Sequence, residues 1–141
     1  MNDKEFRLNP VQARKLWVSA LKGGYYKQTV GYLHTKKDGQ DKFCCLGVAC
    51  ELYKELEGNI NCEEQQNEDQ TVIGYGPLEG YISTQILPPL VQNWLGLESD
   101  AGIFQGNELE NSLVDLNDSG FSFKEIADVI EKEPEGLCIT T

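Results

Sequence analysis

The sequence predicts an α+β fold, a single domain of about five helices packed with a small antiparallel sheet. Three observations lead there. The chain has 141 residues, the length of one domain with one hydrophobic core. Apolar residues recur at helical spacing in separate segments, with capping and stop signals at their ends. Between them lie short β-branched and aromatic runs bounded by Gly, Pro and Asn, too brief for more than a few strands. No internal repeat and no linker-like stretch divides the chain.

The first nine residues are polar, lack the apolar stretch of a signal peptide, and read as a frayed end. A helix is expected over Pro10–Lys22. Asn9 is a suitable N-cap, and Pro10 takes the first position, where a missing N–H costs nothing. Ala13, Leu16, Trp17, Ala20 and Leu21 make one stripe, and Gly23-Gly24 closes it. Residues 28–34 and 40–43 suit strands of a hairpin around Lys36-Lys37-Asp38-Gly39. A second helix is expected from Phe43 to Glu57. It is apolar on two sides, through Cys45, Val48, Ala49, Leu52 and Leu56 and through Leu46, Cys50 and Tyr53, which makes it central to the core. Gly47 inside it costs about 1 kcal/mol relative to Ala and implies a close backbone approach.

Residues 58–70 are polar and acidic and read as a flexible, solvent-exposed loop. Short strands follow at Thr71–Tyr75 and Tyr81–Thr84. Pro88-Pro89 opens a helix through Leu95 that Gly96 ends. A further helix is expected from Glu108 to Leu116, with Asn117 and Asp118 shaping the turn after it. The last helix starts at the capping box of Ser122 and Glu125, turns Phe123, Ile126, Ala127 and Ile130 inward, and stops at Pro134. Residues 135–141 read as a fraying tail. Trp17 and Trp94 sit on apolar stripes and are assigned to the core.

Composition excludes several roles. No run approaches the roughly 18 apolar residues of a membrane helix. Five cysteines, an odd number without an export signal, argue for reduced, structural thiols and a cytoplasmic chain. The net charge is −11, unevenly spread. Residues 1–42 hold nine basic and four acidic residues, whereas residues 43–141 hold three basic and nineteen acidic ones. So acidic a chain repels duplex DNA unless one face is strongly basic, and only the N-terminal third could supply such a surface.

One set of motifs carries a resemblance. It comprises Trp17-x-x-Ala20-Leu21, Gly24-Tyr25-Tyr26-Lys27-Gln28 and Phe43-Cys44-Cys45-Leu46-Gly47-Val48. Later come Leu87-Pro88, Trp94-Leu95-Gly96-Leu97, Leu116-Asn117-Asp118-x-Gly120-x-Ser122-Phe123 and Ile126-Ala127-Asp128-x-Ile130-Glu131. Over residues 10–50 and 87–132 the chain resembles a family of small uncharacterised proteins of tailed bacteriophages and some bacterial genomes. The resemblance implies a setting rather than a chemistry: a small accessory protein, phage-encoded, acting in the cytoplasm of a bacterial host.

The sharpest enzymatic option is a cysteine nucleophile. Cys44 and Cys45 fall at a helix start near Lys42, where both the helix dipole and the cation lower a thiol pKa. Gln28 could serve an oxyanion, and His34 is the sole histidine. No histidine follows the cysteines, so the chain order of a papain-like site is excluded. One histidine and no Cys-x-x-Cys give no metal-ligand spacing, and the Gly74-x-Gly76 and Gly80 glycines match no phosphate-loop pattern. No cofactor is implied.

Binding is better supported. Arg14, Tyr25, Tyr26, Lys27, Gln28, His34 and Lys42 combine aromatic rings that stack on bases with cations that neutralise phosphate. Lys36 and Lys37 lie among them. The plainer alternative is that Tyr25 and Tyr26 seal the helix-to-hairpin junction and the lysines point into water. The leading expectation is a non-enzymatic protein that binds a small phosphorylated ligand, such as a nucleotide signal of host immunity, and sequesters it. The rival is an acidic inhibitor that captures a host protein, and a cysteine-dependent enzyme comes third. Homo-oligomerisation is compatible with a ligand pocket at an interface and is left open.

Overall fold

The computed structural model describes residues 6–105 and 110–139. It has five helices and two antiparallel sheets, the expected α+β class. Helix α1 is Pro10–Lys22, and its cap is the full reciprocal box of Asn9 and Gln12. The hairpin strands are β1, His34–Lys37, and β2, Gln40–Phe43. They are joined by Asp38 and Gly39, both at positive φ. Helix α2, Cys45–Leu56, follows with only Cys44 between, as N-cap.

Two further strands, β3 (Asn61–Asn67) and β4 (Gln70–Gly76), complete a sheet of order β2-β1-β4-β3. Helix α3 is Pro89–Leu95, ended by Gly96 at φ 70°. Strands β5 (Ile103–Gln105) and β6 (Glu110–Ser112) form a small second hairpin, and β6 runs directly into α4, Leu113–Asp118. Helix α5 is Phe123–Lys132 behind the Ser122–Glu125 box. Among the described residues no helix is long and apolar enough to cross a membrane.

Helix α2 is the axis of the core. Both expected stripes are inside, and Cys45, Leu46, Val48, Ala49, Cys50 and Tyr53 have no exposed surface. The close approach implied by Gly47 is there: a β-carbon at that position would lie 1.7 Å from the Leu33 carbonyl oxygen. Trp17 and Trp94 are fully buried; their indole N–H groups donate to the Cys45 carbonyl and the Glu57 carboxylate. Helix α1 lies across α2, α3 and α5.

Several expectations fail for identifiable reasons. Residues 58–70 are not a loop: β3 pairs with β4 along its full length, around a tight turn in which Glu68 takes φ 56°. The strand escapes sequence patterning because it is the outer strand of the sheet, where polar and charged side chains are tolerated on both faces. The first hairpin strand begins at His34 rather than residue 28, because Gly31 turns the chain at φ 87°. Upstream, only Gln28 bridges to Phe43. Residues 81–84 are reduced to one bridge between Ser83 and Tyr75.

Of the helix expected from Glu108 to Leu116, residues 108 and 109 lie outside the described residues, residues 110–112 are strand, and the helix begins at Leu113. Asn117 and Asp118 close that helix instead of forming the turn. The C-terminal tail does not fray through residue 139. Leu137 is fully buried, Cys138 bridges Leu97, and the Ile139 N–H donates to the Gly96 carbonyl. Near the N-terminus, the Arg7 and Leu8 N–H groups donate to the Glu57 carboxylate.

Candidate functional site

Strand alternation decides which side chains share a face. On β1 and β2, His34 and Lys36 stand opposite Phe43 and Asp41; on β4 and β3, Tyr75 and Ile73 stand opposite Cys62 and Glu64. These eight form one wall of a cleft of about 640 Å³. Helix α2 contributes Glu51, Lys54 and Glu55, and the segment after α1 contributes Tyr25, Tyr26 and Lys27. The volume falls within the range of small-molecule sites.

The cleft floor is a chain of hydrogen bonds. His34 Nε2 lies 2.8 Å from Asp41 Oδ1, His34 Nδ1 lies 2.8 Å from Tyr75 Oη, and the Tyr75 hydroxyl lies 2.9 Å from Glu51 Oε1. His34 is 7% exposed and Tyr75 not at all. The imidazole stacks on Phe43 at 4.1 Å, and Tyr26 meets the other edge of this cluster with its ring perpendicular to Phe43 at 5.2 Å. Burial, with Glu55 and Glu51 nearby, pushes the Tyr26 hydroxyl up to about 12. Burial and Glu51 raise Tyr75 still further. Both phenols are therefore neutral hydrogen-bonding groups and not nucleophiles.

Of the seven residues singled out from sequence, four line this cleft: Tyr25, Tyr26, Lys27 and His34. Tyr25 stands at the rim, 84% exposed and edge-on to Tyr26. The other three are elsewhere. Arg14 is structural: its guanidinium donates to the Leu95 carbonyl at 2.7 Å and faces Glu133. Gln28 donates to Asn117 Oδ1 and the Phe121 carbonyl, pinning its segment to the end of α4. Lys42 pairs with Thr35 across the hairpin, so alternation turns it to the opposite face of the sheet.

Among the described residues, the basic side chains of the N-terminal third do not gather on one cationic surface. Some of them are spent against the acidic remainder, as Lys22 meets Glu131 at 2.8 Å and Asp128 at 3.6 Å, and Lys37 meets Asp69 at 3.0 Å. The hydrogen bond to Glu131 is the main reason Lys22 holds its proton more tightly than usual.

The thiols lack the activated environment that a nucleophile at Cys44 or Cys45 would need. Cys44 is buried, and its Sγ accepts from the Gly47 N–H. Burial pushes its thiol up to about 11, overriding the helix N-terminus, and raises Cys45 and Cys50 as well. All five cysteines are free.

Sequence reasoning missed Asp41, Glu51 and Tyr75. Glu51 left a signal, as the one acid in the apolar run from Phe43 to Tyr53. The Leu-Asn-Asp motif has its own role, joined in space to the Cys-Cys-Leu-Gly-Val motif. The fully buried Asn117 accepts from the Cys45 N–H at 3.1 Å and from Gln28, and donates to the Thr29 carbonyl at 2.8 Å. Asp118 accepts from the Gly31 N–H. The two motifs thus lock the start of α2 to the segment that leads into the cleft.

The chain belongs to a family described as a domain of unknown function (DUF8296), whose model matches residues 10–134, from the first residue of α1 to just beyond α5. No curated protein and no solved structure matches it.

Proposed function

We propose that this protein is a non-enzymatic binder of a small phosphorylated ligand of nucleotide type, held in the cleft between the sheet, α2 and residues 25–27. The observation that carries the reading is the convergence of Tyr25, Tyr26 and Lys27 with His34, Lys36 and Lys54 on one concave surface, from three separate parts of the chain. Tyrosine rings offer a stacking face to a base, and ammonium groups take a phosphate. Asp41, Glu51, Glu55 and Glu64 share the same surface. They disfavour a heavily charged ligand and supply acceptors for the amino and hydroxyl groups of a base and sugar. A ligand with one phosphate charge suits this balance better than a triphosphate. The resemblance to phage proteins sets the reading in a bacterial host, where holding such a ligand withdraws a nucleotide signal from the defence that uses it.

Native mass spectrometry of protein purified from bacteria tests this. A retained adduct in the mass range of a mononucleotide or cyclic nucleotide is expected. Clean protein mass, together with no heat on titration with nucleoside monophosphates and cyclic nucleotides, would refute it.

One observation favours a second reading, capture of a basic host protein. Strand β3 is an outer strand carrying Glu63 and Glu64, and both are exposed. Pull-down from bacterial lysate would then yield one partner at low salt that is lost at high salt.

A further inference from the structure

Three hydrogen-bond contacts cross the floor of the cleft, and the groups that make them own only two protons in their ordinary forms. Ionised Asp41 and Glu51 bring none, a neutral imidazole brings one, and the Tyr75 phenol brings one. The contacts are 2.8, 2.8 and 2.9 Å long. With two protons, one contact sets lone pair against lone pair, in a place where His34 and Tyr75 are buried from water. If Tyr75 donates to His34, nothing lies between Tyr75 and Glu51. If Tyr75 donates to Glu51, a neutral His34 fails either at Tyr75 or at Asp41.

We propose that the Asp41–His34–Tyr75–Glu51 chain is closed by a third proton carried on His34, which makes the imidazolium a fourth cation of the cleft. Nε2–H then donates to Asp41, Nδ1–H donates to Tyr75 Oη, and the Tyr75 hydroxyl donates to Glu51, so every proton points away from the ring and each branch of the chain ends on a carboxylate. Imidazole is the most basic of the groups that could take it. The Phe43 ring stacks on the imidazole, 28° from parallel, and offers its electron-rich face to the cation.

The surrounding charges agree. On its own strand His34 faces Lys36; α2 adds Lys54 but also Glu51 and Glu55. Strand β2 supplies Asp41, β3 supplies Glu64, and the rim supplies Lys27. Tyr26 and Cys62 are kept neutral by burial. Carboxylates therefore outnumber ammonium groups around the ring, and the third proton brings the cleft to balance. The bearing of that charge on a phosphorylated ligand rests on the proposed function, whereas the proton itself does not.

Nuclear magnetic resonance of the ¹⁵N-labelled, ligand-free protein decides the point, because the chain has one histidine and hence one imidazole spectrum. At about pH 7, where a free imidazole is mostly neutral, both ring nitrogens are expected to carry protons. In Glu51→Gln the new amide N–H can donate to Tyr75 Oη and supply the missing proton. The second ring N–H should then be lost, leaving the Nε2–H form. Tyr75→Phe removes the acceptor of Nδ1–H and should cause the same loss, so either folded variant serves. A wild-type ring with one bare nitrogen would overturn the proposal, as would a second N–H that survives in both variants. Absence of nucleotide binding would leave these results unaffected.

Discussion

Gly47→Ala inverts the usual helix rule. In an ordinary helix interior, alanine stabilises by about 1 kcal/mol relative to glycine. Here the added β-carbon would meet the Leu33 carbonyl oxygen at 1.7 Å and the Leu33 carbonyl carbon at 2.6 Å. These are main-chain atoms and cannot rotate away. The helix and the Leu33 segment must separate by more than an ångström, which strains the bond from the Cys44 N–H to the Leu33 carbonyl, 3.1 Å long. Overpacking against rigid backbone costs about 3 kcal/mol, and the weakened hydrogen bond about 1 kcal/mol. After the gain in helix propensity, a net loss of about 3 kcal/mol remains. For a domain of this size that corresponds to roughly a 10 °C fall in Tm. Circular dichroism melts and urea titrations of wild type, Gly47→Ala and Gly23→Ala measure it. Gly23 has φ −76° and its nearest clash is 3.2 Å, so it should change little. A Gly47→Ala protein as stable as wild type would refute the close approach.

The other predictions concern the polar joints of the fold and its thiols. Asn117→Ala should cost about 3 kcal/mol, because the Cys45 N–H and the Thr29 carbonyl lose their partner; the urea midpoint reports it. Glu57→Ala should cost about 1–2 kcal/mol and change Trp94 fluorescence, since that carboxylate receives the Arg7 N–H and the Trp94 indole. Burial in the folded protein pushes the Cys44 thiol from its ordinary value of 9.0 up to about 11, and unfolding relieves that burial. The folded protein therefore retains a proton that the unfolded chain has lost, so stability is full below about pH 9 and falls between about pH 9 and 11. Urea midpoints across that range should drop for wild type and drop less for Cys44→Ser.

Elements with strong local signals were legible in the sequence. α1 and α5 carry capping boxes and clean stripes, α3 has Pro at its start and Gly at its end, and Gly47 announced a close approach. What was hidden depends on partners distant in sequence. Strand β3 has no apolar face of its own and exists because β4 pairs with it. Leu137 looks like part of a tail until Gly96 and Leu97 are seen to receive it. The cleft was half visible. Its aromatic and basic rim lies in one stretch of chain, but Glu51 and Tyr75 reach His34 only through the packing of α2 on the sheet. Arg14 and Gln28 were misread because their chemistry suits a ligand as well as it suits the Leu95 carbonyl and Asn117.

The proposed nucleotide site is tested most directly by calorimetric titration with nucleoside monophosphates and cyclic nucleotides of wild type, Lys36→Glu and Lys42→Glu. The two lysines lie on the same hairpin, both exposed, but only Lys36 faces the cleft. Binding by wild type, at least tenfold weaker in Lys36→Glu and unchanged in Lys42→Glu, is the expected result. Equal effects of the two substitutions, or no binding by wild type, would contradict the cleft as a nucleotide site.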